Sequence, residues 1–176
     1  MFNLLLRTLK HLKSMKLLGF CIVVFTFLNS PELSLVRQNY ISAAVSEADA
    51  DAFHKSFETI NESHNNCTLL AYKAASIVLL AKYESGLITK TRLFNRGTDL
   101  LEATIKKAPD NYEARLIRLN IQDNVPWITG YTSKIKQDKQ FLINNYAKQP
   151  DDLKAFTKQY ALQSGAFSQK EKAMFN

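Results

Sequence analysis

The chain of 176 residues has few of the residues that disulfide-bonded proteins and nucleotide-binding enzymes require. It holds two cysteines, five glycines, four prolines and one tryptophan. Cys21 lies in an apolar N-terminal stretch, so Cys67 is the only cysteine of the remaining chain and no disulfide is expected within that part. Five glycines leave little material for a phosphate-binding loop, and neither His-Glu-x-x-His nor Gly-x-Ser-x-Gly occurs. The common sequence signatures of enzymes are therefore missing, and we expect neither catalysis nor a cofactor.

The net charge of +7 is unevenly distributed. The first 30 residues hold four of the 23 basic residues and none of the 16 acidic ones. This leaves 19 basic and 16 acidic residues in the rest of the chain, a balance of +3. Nucleic-acid binding needs a clustered basic face. The nearly balanced charge of residues 31–176 therefore argues against a nucleic acid as the partner.

The N-terminal 30 residues have the composition of an export signal. A basic start is followed by twelve apolar residues, "LLGFCIVVFTFL", from Leu17 to Leu28. Twelve helical residues cover about 18 Å, which is short of the roughly 30 Å of bilayer hydrocarbon. We therefore expect residues 1–30 to be an export signal or signal anchor, and the protein to be periplasmic, cell-envelope or extracellular.

The start and the processing of this segment stay open. Translation from Met15 instead of Met1 would still give a compact signal. Ser30 could be the last signal residue, but Pro31 follows it and Leu28 occupies a position that prefers a small side chain. Both a cleaved exported form and an uncleaved form tethered to the membrane are consistent with the sequence.

The remainder of the chain predicts a single all-α domain over residues 31–176. Apolar residues recur at helical spacing, strand-like alternation is absent, and Gly or Pro falls between the segments. Residues 68–85, "TLLAYKAASIVLLAKYES", are apolar on nearly every side and are expected to form a central buried helix that Gly86 ends. The other predicted helices are 31–45, 46–60, 89–108, a helix beginning at Tyr112, 133–148, 152–163 and a short terminal helix with a capping box at 168–171.

One stretch resembles the tetratricopeptide (TPR) repeat family. Residues 100–119, "LLEATIKKAPDNYEARLIRL", join an alanine-bearing helix, a Pro-Asp-Asn turn and a helix that opens with an aromatic residue. Such helical hairpins bury their apolar faces by stacking on neighbours. The resemblance covers about 35 to 50 residues and implies antiparallel hairpins stacked as a short TPR-like array. It also implies that another protein or a peptide is the ligand.

A loop near residues 124–132 has no counterpart in that repeat. Asn124, Pro126 and Gly130 are turn formers, and Trp127, Ile128 and Tyr131 are large side chains that are costly to leave in water. The first interpretation is that the loop folds back and closes one end of the helical array. The second is that it presents an aromatic contact to a partner. Both hold if Trp127 faces inward and Tyr131 outward.

Basic and amide side chains precede this loop on one helix. Arg115 and Arg118 are three residues apart and so are neighbours in space, and Gln122 follows Arg118 by four residues. The TPR resemblance implies that these residues, with Asn111, could hold the carboxylate of a peptide. The alternative is internal pairing of the arginines with Glu102, Asp123 or Asp138, which would fix the loop in place. The expected protein-binding residues are Asn111, Arg115, Arg118, Gln122, Trp127 and Tyr131.

One cluster could support metal or nucleophilic chemistry. His54 and Glu58 share a helix face, and His64 and Cys67 are three residues apart near a loop. The spacing matches no closed zinc pattern, so we expect no metal site. The leading hypothesis is a non-catalytic exported module that binds a protein. A metal-dependent enzyme using His54–Cys67 and a membrane-tethered structural module are the alternatives, and the oligomeric state is left open.

Overall fold

The computed structural model describes residues 32–175, which are helical with no β-strand in that range. A boundary between two compact units lies after Val36, and the description below concerns the unit that begins at Arg37. The export signal predicted for residues 1–30 lies outside the described residues. The helices are α1 (Leu33–Ala43), α2 (Glu47–Lys55), α3 (Cys67–Tyr83), α4 (Leu87–Lys107), α5 (Tyr112–Asn124), α6 (Ile135–Asn145), α7 (Asp151–Gln163) and α8 (Gln169–Lys172).

The all-α prediction is confirmed, with small shifts at the helix ends. α3 ends at Tyr83, and the carboxylate of Glu84 accepts a hydrogen bond from the Gly86 amide at 2.7 Å. Gly86 therefore precedes the first residue of α4 and does not end α3 as predicted. The sequence pattern therefore places the start of this helix two residues too late, at Thr89 and not at Leu87. Three single-turn 3₁₀ helices follow, at Trp127–Thr129, Tyr146–Lys148 and Ala173–Phe175.

Helix α3 is the central element, as the sequence predicts. Its alanines are fully or almost fully buried and allow neighbouring helices to approach closely. α4 packs along it in an antiparallel hairpin, and Gly97 allows the closest approach because it has no Cβ. The Asn66 side chain caps α3 by accepting from the amides of Thr68 and Leu69 at 3.0 and 3.1 Å.

A buried ion pair attaches α1 to the later helices. Arg37 donates two hydrogen bonds to Glu113 of α5, at 2.7 and 2.9 Å, and a third to Asp152 of α7 at 2.6 Å. The hydroxyl of Tyr72 in α3 also donates to Glu113. Since both carboxylate oxygen atoms of Glu113 are used, the charge is buried with its hydrogen-bonding capacity largely satisfied.

The C-terminal helices form a second apolar cluster against α5. Leu142 of α6, Leu153 of α7 and Phe175 are buried in it. The predicted capping box of the terminal helix is confirmed, since Ser168 and Glu171 each accept from the other's backbone amide. Within residues 32–175, no helix combines the length and the apolar composition that crossing a bilayer requires.

Candidate functional site

The loop between α5 and α6 has a defined conformation. Pro126 begins it with an extended ψ of 139°, and its carbonyl accepts from the Thr129 amide at 3.0 Å. The Thr129 hydroxyl donates to the same carbonyl at 2.9 Å. Gly130 closes the turn at a φ of 68°, a left-handed conformation that favours glycine. The Pro and Gly of the sequence therefore set a single 3₁₀ turn, Trp127–Thr129.

This turn directs Trp127 and Ile128 into solvent. Their side chains are 84% and 78% exposed, although apolar residues of this size are usually covered. The prediction that the loop closes the array with a buried Trp127 is therefore wrong. The physical reason is the local turn, which rotates both apolar side chains away from the helices.

Tyr131 takes the inward position that the sequence interpretation gave to Trp127. Its hydroxyl donates to Glu102 of α4 at 2.6 Å, and its ring packs edge-to-face on Phe94 with centroids 6.0 Å apart. Burial raises the pKa of the Tyr131 hydroxyl, and the hydrogen bond and charge of Glu102 raise it further. The neutral phenol is thus a permanent donor to Glu102, and it holds the base of the loop against α4.

An ion-pair network lies directly behind this contact. Arg118 of α5 donates to both oxygen atoms of Asp138 in α6, at 2.6 and 2.8 Å, and to Glu102 at 2.6 Å. Burial lowers the pKa of the Arg118 guanidinium, but the bonds and charges of Asp138 and Glu102 outweigh it, and the pKa is raised. Arg115 donates a further bond to Asp138 at 3.1 Å. The network joins α4, α5 and α6 next to the two ends of the loop that connects α5 to α6.

The structure therefore places the predicted arginines inside the fold. The alternative of internal pairing with Glu102 and Asp138 is the one observed, and the side chain of Arg118 is only 4% exposed. Arg115 also donates to the carbonyl of Pro109 at 2.6 Å and stacks 4.2 Å from the ring centroid of Phe141. These guanidinium groups do not face an open groove where a peptide carboxylate could reach them.

The two predicted amide residues also have internal partners. The side chain of Asn111 caps α5 by accepting from the Ala114 amide at 2.9 Å and donates to Thr68 at 3.0 Å. Gln122 is buried and accepts from the Lys134 amide at 3.2 Å. Of the six residues predicted to bind a protein, Trp127 is the one that is open to solvent. The others hold the loop and its helices in place.

Asp123 differs from the other two predicted acidic partners. It accepts hydrogen bonds from the hydroxyls of Ser164 at 2.6 Å and Tyr160 at 3.2 Å, not from an arginine. These bonds connect the end of α5 to the end of α7. The loop therefore leaves a helix that is fixed at its last turn.

The residues of the alternative enzyme hypothesis have structural partners. His54 Nδ1 lies 2.9 Å from the Ser76 hydroxyl, which itself donates to the Lys73 carbonyl, so Nδ1 is the donor to Ser76. His64 Nδ1 accepts from the Asn66 amide at 3.1 Å, and Cys67 is the first residue of α3. In the part of the chain that the structure describes, no three His, Cys, Asp or Glu residues form a group that could hold a metal ion.

His54 makes the stability of the fold depend on pH. Burial lowers the pKa of His54 from 6.5, and the charges of Lys73 and Arg96 lower it further against the opposing effect of Glu58 and Asp51. Below pH 6.5 the unfolded chain therefore binds this proton more readily than the folded chain does. We expect the free energy of unfolding to fall as the pH is lowered through 6.5, because the unfolded chain then takes up this proton before the folded chain does. Urea unfolding should show a smaller decrease for His54→Gln, and equal decreases would contradict the assignment.

Comparison of the chain with protein-family models, curated proteins and solved structures finds no match. The arrangement of its own residues is therefore the basis for a functional proposal.

Sequence reasoning missed Leu87 and Ile88, and it counted Ile128 among the apolar side chains of the loop without including it in the expected binding residues. Ile128 is recognisable as part of the site because it adjoins Trp127 in a Pro-x-x-x-Gly turn. Leu87 and Ile88 are 77% and 86% exposed at the start of α4. Ile88 falls outside the apolar stripe of this helix formed by Leu93, Leu100, Leu101 and Ile105, and Leu87 lies at the first residue of the helix, beyond the end of the packed part.

Proposed function

We propose that the protein is a non-catalytic, exported module that binds another protein, with Trp127 and Ile128 at the centre of the contact. The observation that carries the proposal is the exposure of both side chains on a loop whose base is fixed. In this proposal the helices stack as short TPR-like hairpins and act as the support for the loop. The export of the module rests on the composition of residues 1–30.

The exposed pair supports recognition because covering it is favourable. Burying a large apolar side chain contributes about 1.5–3 kcal/mol relative to leaving it in water. Tryptophan is also over-represented among the residues that dominate binding energies. The complementary partner surface is an apolar pocket that accepts an indole ring beside an aliphatic side chain.

The fixed base of the loop supports the same interpretation. Tyr131 is held by Glu102, and Glu102 and Asp138 are held by Arg118, so Trp127 extends from an ordered segment. A contact that is ordered before binding loses less conformational entropy on association. The internal pairing of the arginines thus contributes to binding indirectly, through the position of the loop.

The sole tryptophan of the chain provides the test. We expect iodide to quench the fluorescence of the purified protein as it quenches a free indole, and bound partner to prevent this quenching. A photo-crosslinking amino acid at Ile128, introduced in the producing cells, should yield a specific adduct that Trp127→Ala removes. The same amino acid at Val45, an exposed position on the α1–α2 turn, is the matched control and should not yield this adduct.

Stability measurements separate recognition from a structural role of the loop. Because Trp127 has little to pack against, Trp127→Ala should change the free energy of unfolding by less than about 0.5 kcal/mol. Shielding of Trp127 from iodide in the isolated protein, together with a loss of about 2 kcal/mol or more in Trp127→Ala, would show instead that the loop closes the core. An adduct that persists in Trp127→Ala would place the contact elsewhere.

A further inference from the structure

Helix α4 has a long solvent-facing stripe opposite the face that packs on α3. Leu87, Ile88 and Thr91 begin the stripe, and Asp99 and Ala103 continue it past the middle of the helix. The intervening exposed positions are Arg92, Asn95 and Arg96. The polar positions are typical of the outer face of an amphipathic helix, whereas the adjacent Leu87 and Ile88 leave two large aliphatic side chains in water.

The stripe lines an open groove of about 1010 Å³. Its lining is mostly apolar, and Leu100 lies at its floor. Glu62 of the α2–α3 loop forms one wall and pairs with Arg96 across 3.6 Å. This pair balances the charge of Arg96, which leaves Arg92 and Asp99 as the charged groups of the groove with no ion pair among the described residues.

The residues of this groove are complementary to themselves. Arg92 and Asp99 are equally distant from the midpoint between Asn95 and Arg96, and they carry opposite charges. Ile88 and Ala103 are also equally distant from that midpoint, and the large side chain of Ile88 is complementary in size to the small side chain of Ala103. In two antiparallel α4 helices related by a two-fold axis at this midpoint, each residue lies level with the opposite member of its pair.

We propose that the occupant of this groove is a second copy of the chain, with the two α4 helices packed antiparallel about Asn95 and Arg96. Arg92 of each copy then pairs with Asp99 of the other copy, and Ile88 fills the space above Ala103. The two-fold arrangement forms both ion pairs at once and covers Leu87 and Ile88. This interface on α4 does not include Trp127, so the proposed dimer does not depend on the protein-binding function proposed above.

The charges of the pair favour a second copy over an unrelated apolar ligand. A basic and an acidic group at symmetric positions attract only a partner that presents the opposite order of charges along its helix. An antiparallel copy of α4 has this order, whereas a parallel copy would place Arg92 beside Arg92. Arg92 and Asp99 thus specify that the two helices run antiparallel. Leu87 and Ile88 contribute the apolar surface that the interface buries.

Charge reversal at the two positions tests the proposal. We expect the full chain, purified with its N-terminus established by mass spectrometry, to sediment as a dimer at micromolar concentration. Arg92→Glu alone places two acidic groups together at each contact, and Asp99→Arg alone places two basic groups together. The dimer dissociation constant of each variant should rise at least about tenfold, because juxtaposed like charges are costly.

Mixing the two variants gives the decisive result. One copy with Arg92→Glu and one with Asp99→Arg have opposite charges at both contacts, so the mixture should form a heterodimer with an affinity near that of the original chain. Lys170→Glu, an exposed charge reversal on α8, is the control that should leave the dimer unchanged. Each variant should keep the helical circular dichroism of the original chain, and the single α4 variants should melt at or below its temperature at equal concentration, because they lose the stabilisation that association gives.

Three outcomes would overturn the proposal. The original chain could sediment as a monomer, the single variants could remain dimeric, or the mixture could fail to associate. Trp127→Ala should retain the dimer of the original chain, and loss of the dimer in this variant would move the interface to the loop. Failure of the crosslinking experiment at Ile128 has no bearing on these results.

Discussion

Replacing Asp138 by alanine is expected to lower the free energy of unfolding by about 3–5 kcal/mol. The Asp138 side chain has no exposed surface and accepts hydrogen bonds from Arg118 at 2.6 and 2.8 Å. Its removal leaves a buried guanidinium with one remaining carboxylate partner, Glu102, and a charge that has lost its solvation. Glu102, which belongs to the same network, accepts the hydrogen bond of Tyr131. The loop should therefore lose its fixed position when the fold loses stability.

A double variant distinguishes this cause from simple loss of packing. Arg118→Met together with Asp138→Leu removes both charges and keeps apolar volume, so it should unfold at a higher urea concentration than Asp138→Ala alone. Glu62→Ala breaks the exposed pair with Arg96 and is the matched control, with an expected change within about 0.5 kcal/mol. Equal destabilisation by Asp138→Ala and Glu62→Ala would refute the role assigned to the buried network.

Replacing Gly97 by alanine should destabilise the protein by about 1–3 kcal/mol, although alanine is the better helix former. A Cβ at this position would lie 2.6 Å from Val78 Cγ2, 2.8 Å from the Ala74 carbonyl oxygen and 3.0 Å from the Val78 amide nitrogen. Two of these atoms belong to the backbone of α3 and cannot rotate away. The α3–α4 hairpin would have to separate, and the largest contact of the fold would weaken.

Gly165→Ala is the control for this substitution. A Cβ there would meet its nearest neighbour, Asp123 Oδ1, at an ordinary contact distance of 3.9 Å. Thermal and urea unfolding should therefore leave Gly165→Ala unchanged or slightly stabilised and Gly97→Ala clearly weakened. If Gly97→Ala gained stability from its helix propensity, the close approach of α4 to α3 would not be a constraint of the fold.

The helices of this protein could be predicted from the sequence because their signals are local. The apolar run of α3, the Pro109–Asn111 turn and the Ser168–Glu171 capping box each involve neighbouring residues, and the structure shows helices or helix ends at all of them. The position of Gly86 relative to the helix ends does not follow from such local signals. A glycine between two helices is compatible with ending one or preceding the next, and the choice depends on Glu84.

The orientation of the loop could not be predicted, because it depends on distant partners. Tyr131 faces inward since Glu102 lies 29 residues before it and accepts its hydrogen bond. Trp127 has no such partner, and hydrophobicity alone suggested that it would be buried. The sequence is compatible with pairing of Arg118 to Glu102, Asp123 or Asp138, and nothing local to Arg118 distinguishes these acidic residues.

The attachment of α1 has a consequence for the timing of folding. Arg37 reaches its partners only across 76 residues to Glu113 and 115 residues to Asp152. At roughly 5–20 residues per second, a ribosome needs on the order of 10 s to synthesise the interval between Arg37 and Asp152. Before Asp152 is made, Arg37 can pair with Glu113 but lacks its third hydrogen bond, so the native attachment of α1 is incomplete. The native attachment of this early helix therefore depends on residues that are made late.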